Sequence, residues 1–113
     1  MSAVTTHVLD TALGVPAAGV PVRLEQLLVN GLPGQPLADE VTDADGRLGE
    51  IGPELLEPGT YRLVFDTAAY FKATGQVGIY PEVAVIFTVR EPGQHLHLPL
   101  LLAPFAYTAY RGS

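Results

Sequence analysis

The sequence predicts an all-β protein, a two-sheet β-sandwich of eight strands with one short helix. Three observations carry this prediction. Turn-forming pairs recur at short intervals: Leu13-Gly14, Ala18-Gly19, Asn30-Gly31, Pro33-Gly34, Asp45-Gly46, Pro58-Gly59 and Pro92-Gly93. Between them, apolar and polar residues alternate with period two, as in strands with one buried and one wet face. A single stretch abandons that alternation for helix signals.

Val4 to Asp10 is the first strand, with His7 and Leu9 on one face. In the second, Val20, Val22 and Leu24 alternate with Pro21, Arg23 and Glu25. Leu37–Thr42 and Arg47–Ile51 flank Asp43-Ala-Asp-Gly46, the composition of a hairpin-type turn. Tyr61, Leu63 and Phe65 alternate with Thr60, Arg62 and Val64 in the fifth. Asp66 to Gly75 is the helix, about two turns long, with Asp66 or Thr67 as its N-cap and Gly75 ending it. Val83 to Val89 is apolar almost throughout, which predicts a central strand covered on both faces. His95–Leu101 and Tyr107–Arg111 complete the set, joined around Ala103-Pro104.

The length of 113 residues fits one domain spanning 1–113. Such a chain buries about 65% of its unfolded surface, enough for an autonomous core. Hydrophobic residues make up 48% and charged residues 16%, so part of the apolar surface is expected in subunit contacts. The net charge of −6 disfavours nucleic acid, which requires a basic face. There is no cysteine, which removes disulfides, thiolate metal sites and a cysteine nucleophile together. No basic stretch followed by an apolar core opens the chain, and no apolar run reaches a membrane span of about 20 residues. A cytoplasmic location is expected.

The chemistry concentrates near the end of the sequence. His95 and His97 stand two apart on one strand, so they share a face, while Leu96, Leu98 and Leu100 share the core side. Two imidazoles thus project where a surface strand ordinarily carries Lys, Thr or Glu. A lone histidine is usually a solvated bystander; for two on one face the odds are about even. Only two serines occur, Ser2 and Ser113, and there is no Gly-x-Ser-x-Gly elbow, which disfavours a Ser-His-Asp triad. His7, His95 and His97 together would also suit a zinc ion. Histidine acid–base chemistry on water, assisted by an arginine and without metal or covalent intermediate, is the remaining reading.

The rhythm of Gly19-Val-Pro-Val-Arg-Leu24, Thr42-Asp-Ala-Asp-Gly-Arg-Leu48 and Pro58-Gly-Thr-Tyr-Arg-Leu63 resembles many prealbumin-like sandwich modules. Four further pieces are more specific: Thr6-His-Val-Leu-Asp-Thr11, Asp45-Gly-Arg47, Tyr80-Pro-Glu-Val83, and the stretch from His97 to the final Tyr110-Arg-Gly-Ser113. Together they resemble the 5-hydroxyisourate hydrolase family, the transthyretin-related enzymes of urate breakdown, over essentially the whole chain. Ala103 replaces the family's usual Ser and Ala109 its frequent Thr, both away from the expected catalytic positions.

The resemblance implies a transthyretin-like fold and a cofactor-free, metal-independent hydrolase that opens 5-hydroxyisourate to a ureido-imidazoline carboxylate. It implies His7, Arg47, His97 and Ser113 as catalytic residues, with Tyr110, Arg111 and Gly112 joining His7 and Arg47 in binding substrate. It also implies a homotetramer, a dimer of dimers, in which the outer face of one four-stranded sheet lines a channel. The hormone-carrying transthyretins share the fold, and a small-ligand carrier without activity is the alternative. The carriers, however, place Lys, Glu and Thr at the positions of His7, Arg47 and His97, and they lack the Tyr-Arg-Gly-Ser ending.

Overall fold

The computed structural model describes residues 2–113 and consists of two β-sheets packed face to face, with one helix. In the first sheet, β1 (Val4–Asp10) occupies the centre. β5 (Arg47–Ile51) pairs antiparallel along one edge of it, and a two-residue β2 (Val15–Pro16) closes on the end of the same edge. Along the other edge, β8 (Leu96–His97) and β9 (Leu100–Ala103) run parallel to β1, and β10 (Ala106–Ala109) returns antiparallel on β9. The second sheet is antiparallel throughout, in the order β4 (Pro33–Val41), β3 (Pro21–Leu27), β6 (Gly59–Phe65), β7 (Val83–Val89).

The core lies between the sheets. Val4, Val8, Leu96, Leu98, Leu100 and Leu102 from the first meet Val22, Leu24, Leu63, Phe65, Val83 and Val89 from the second, all buried. The alternating leucines after His95 therefore form the inner face, as the two-residue period requires. Burying side chains of this size contributes roughly 1.5–3 kcal/mol each before chain entropy is set against it.

The helix α1 (Thr67–Ala73) begins where expected. The Asp66 carboxylate accepts the Ala69 amide at 3.0 Å, and Gly75 follows with φ of 68°. The helix turns Tyr70 and Phe71 inward. The Tyr70 hydroxyl donates to Asp10 Oδ2 at 2.7 Å, and Gln76 Nε2 donates to the same oxygen at 3.0 Å. The amides of Ala12 and Leu13 donate to Asp10 Oδ1 at 3.0 and 2.9 Å. Burial alone would raise the Asp10 pKa, but these bonds outweigh it and hold the carboxylate below its ordinary range.

Several sequence expectations are revised. There are ten strand segments rather than eight, because β2 is added and His95–Leu101 divides into β8 and β9 around Leu98-Pro99. Pro99 has no N–H to place in a ladder, which interrupts the strand without shifting its register on β1. For the same reasons the sheet bearing the histidines has six strand segments instead of four. The strand expected at Leu37–Thr42 starts earlier, at Pro33, and that at Tyr107–Arg111 is Ala106–Ala109.

Asp43–Gly46 is not a hairpin within one sheet. The turn carries the chain from β4 in one sheet to β5 in the other, with the Asp43 amide donating to the Arg47 carbonyl at 3.0 Å. Val83–Val89 is an edge strand, not a central one. Its alternation of buried Val83 and Val89 with exposed Ile86 shows why the inference failed. Apolar residues on both faces can mean a core on one side and an uncovered apolar surface on the other.

Candidate active site

The outer face of the first sheet brings together residues from four separate parts of the chain. Arg47 is the register partner of His7 across β5 and β1. Thr5, two residues before His7 and on the same face, is the register partner of His97 across β1 and β8. His7 and His97 are therefore diagonal neighbours on adjacent strands. Beyond β8 the chain end lies alongside, with the Tyr110 amide donating to the Pro99 carbonyl at 3.3 Å and the Gly112 amide to the His97 carbonyl at 2.7 Å.

Each residue has a local reason for its place. Arg47 follows Gly46, whose φ is 76° and where a Cβ would stand 2.4 Å from the Val8 carbonyl oxygen. Only glycine permits that approach, which lets the Val8 amide donate to the Gly46 carbonyl at 2.7 Å. The Asp43 carboxylate accepts the amides of Asp45 and Arg47, each at 2.9 Å, and so closes the turn under the arginine. The His7 Nε2–H donates to the Asp45 carbonyl at 2.9 Å, tying the imidazole to the same turn. Because the acceptor is a carbonyl, Nε2 carries the proton, and Nδ1 is left without a protein partner among the described residues.

His97 is half-buried, and its Nδ1 lies 2.8 Å from the Thr5 hydroxyl. Desolvation lowers its pKa from the ordinary 6.5, and the charges of Arg47, His7 and His95 lower it further, against a smaller opposing hydrogen bond to the Thr5 backbone. A neutral imidazole at neutral pH can accept a proton. Among the described residues no carboxylate pairs with Arg47, so its guanidinium remains available for a ligand.

An open depression of about 280 Å³ is lined by Thr5, Thr6, Arg47, Gly49, His95, His97 and Ser113. Of the residues expected from the sequence, Arg47, His97 and Ser113 line it directly, His7 adjoins it through its pairing with Arg47, and Gly112 packs on the His97 ring. Tyr110 and Arg111 are exposed and do not line it. Among the described residues no three histidine or carboxylate side chains are arranged to hold a metal ion, so the His7, His95, His97 triad of ligands does not form. Thr5, Thr6 and Gly49 were missed by sequence reasoning. For Thr5 the signal was present, since it shares the face of His7, but its pairing partner could not be read.

Residues 4–112 match the model of the HIUase/Transthyretin family. The chain belongs to that family. It is 48% identical to the 5-hydroxyisourate hydrolase of Mus musculus, with 99% of this chain and 96% of that protein covered. It is 47% identical to that of Caulobacter vibrioides, with 100% of each covered. Among solved structures, the Klebsiella pneumoniae 5-hydroxyisourate hydrolase superposes with a TM-score of 0.85 at 36% identity, covering 97% of this chain and 98% of that one. Sea bream transthyretin in complex with thyroxine superposes with a TM-score of 0.88 at 32% identity, covering 96% and 93%. The fold is thus shared by a hydrolase and by a thyroxine-bound transthyretin, so fold alone does not assign the activity.

Proposed function

We infer that this chain, acting as a single unit of residues 1–113, hydrolyses 5-hydroxyisourate in urate breakdown. The observation that carries the reading is the convergence of His7, Arg47, His97 and Ser113 on one sheet face, in a chain 48% identical to a hydrolase of that name. The Arg47 guanidinium binds the planar, carbonyl-rich substrate and stabilises the oxygen that becomes negative when water attacks. His97, neutral because its pKa is lowered, takes the water proton on Nε2. The new C–O bond forms at the ring carbonyl, the adjacent C–N bond breaks, and the leaving nitrogen receives the proton that His97 took from water, relayed by the lone pair of His7 Nδ1. His7, whose Nδ1 has no protein partner among the described residues, forms the second half of the acid–base pair. Ser113 supplies a hydrogen bond at the mouth of the site beside Gly112, while Tyr110 and Arg111, outside the depression of a single chain, would meet substrate only where a second copy covers it.

No step in this scheme requires a metal or cofactor. The protein works as a cytoplasmic homotetramer, a dimer of dimers, in which a second copy covers the open depression. Exposed Val15, Ile86 and Phe105 and the unpaired edge of β7 give such contacts apolar material.

The test follows the ultraviolet absorbance left after uricase has acted on urate. Added protein should speed the decay of the hydroxyisourate signal, and a decay equal to the buffer control overturns the reading. Prior dialysis against a chelator should leave the rate unchanged; a loss restored by zinc defeats metal independence. Gel filtration at four times the monomer mass is expected.

A further inference from the structure

We infer that the Thr5 hydroxyl is a positioning residue that decides which nitrogen of His97 carries the proton. This rests on the reading of His97 as the base. Thr5 is only 7% exposed, at a strand position where a buried hydroxyl is ordinarily satisfied by a backbone carbonyl. Its neighbour Thr6 does so, donating to the Leu98 carbonyl at 2.6 Å. Thr5 instead directs Oγ1 between two imidazoles, 2.8 Å from His97 Nδ1 and 3.5 Å from His95 Nε2.

A hydroxyl has one proton to give and can accept another bond. If Oγ1 donated to His97 Nδ1, the neutral ring would carry its own proton on Nε2, and Nε2 could not take one from water. If Nδ1–H donates to Oγ1, the Oγ1 proton turns towards His95 Nε2, the next acceptor within reach, and His97 Nε2 keeps its lone pair. The second arrangement is the one in which His97 can act as the base, and His95 Nε2, as the unprotonated nitrogen of its ring, stands within reach to accept the Oγ1 proton. The chain His97 Nδ1–H to Thr5 Oγ1–H to His95 Nε2 runs in one direction, and it leaves the reactive nitrogen free. It also gives His95, at the rim of the depression, a role as the terminal acceptor of that chain. When Nε2 takes the water proton, Nδ1–H keeps its bond to Oγ1, so the ring does not reorient during the step. Partners that hold the tautomer of a metal-ligating imidazole are typically worth roughly ten- to a hundredfold, and the same order is expected for Thr5.

The experiment compares wild type, Thr5→Val and Thr5→Ser by kinetics and by nitrogen-15 NMR of the histidine rings above pH 7. Valine keeps the branched shape and removes the hydroxyl, while serine keeps the hydroxyl. Thr5→Val should lower kcat roughly ten- to a hundredfold with KM nearly unchanged, and its His97 signals should show a mixture of tautomers. Thr5→Ser and wild type should show the Nδ1–H form, with kcat close to each other. A Thr5→Val protein with wild-type kcat and an unchanged tautomer overturns the proposal. So does a Thr5→Ser protein as impaired as Thr5→Val. His97→Asn separates the two levels: if it retains activity, the general-base reading fails, whereas the tautomer in Thr5→Val bears on Thr5 alone.

Discussion

Gly112 lies so close to His97 that a Cβ on it would stand 2.7 Å from the imidazole Cδ2, while its amide donates to the His97 carbonyl at 2.7 Å. The glycine is needed here for space rather than for backbone freedom, since its φ is not in the left-handed region. Gly112→Ala should therefore push the ring away from its bond with Thr5 while leaving the sandwich intact. Displacements of about 1 Å in a site can cost roughly 10²-fold. A loss of that order in hydroxyisourate decay, with an unchanged melting curve, is the expected result.

Removing Arg111–Ser113 should act in the same direction. The segment pairs with β8 and carries Ser113 into the depression, but the apolar strands that hold the core all lie upstream. Turnover should be abolished or strongly reduced while circular dichroism and gel filtration stay as in the full chain.

His7→Asn and His97→Asn should each lower kcat by about 10²–10⁴, the usual worth of an acid–base group. His95→Asn should cost much less, because that ring is exposed and its hydrogen-bond path to His97 runs through Thr5. Steady-state kinetics of the three variants checks this order, and equal losses from the His95 and His97 changes would break it.

With His97 as the proposed base, its lowered pKa predicts the acid side of the activity profile. Protonation removes the base, so the rate should hold as pH falls to the ordinary imidazole value of 6.5 and decline only below it. For stability the sign is the same. The unfolded chain takes up the proton first, so His97 disfavours the fold progressively as pH drops below 6.5 towards its folded pKa. Arg47→Gln removes one of the charges that lower this pKa, and an NMR titration of His97 in that variant should move upward.

Tyr70→Phe tests the helix anchor. It removes a 2.7 Å bond to a carboxylate that is 2% exposed. Hydrogen bonds to charged groups are worth about 1.5–3 kcal/mol, and chemical denaturation should show a loss in that range. Because the folded pKa of Asp10 is depressed, its contribution is present above the unfolded value near 3.8 and fades as pH falls below it. The difference between the two proteins should therefore shrink in acid.

What the sequence determined by itself was local. Period-two alternation marked β1, β3, β6 and the leucine face after His95, because side-chain direction in a strand depends only on spacing. Asp66 and Gly75 bounded the helix because caps are local chemistry. The motifs also singled out His7, Arg47, His97 and Ser113, which the fold then set on one face. What only the tertiary structure decided was adjacency. The edge position of Val83–Val89, the crossing of the Asp43–Gly46 turn between sheets, and the Thr5 hydroxyl on His97 Nδ1 all depend on which strands pair and in what register. Residues 92 positions apart meet there because the whole core closes in one arrangement, and no spacing along a single strand encodes its neighbour.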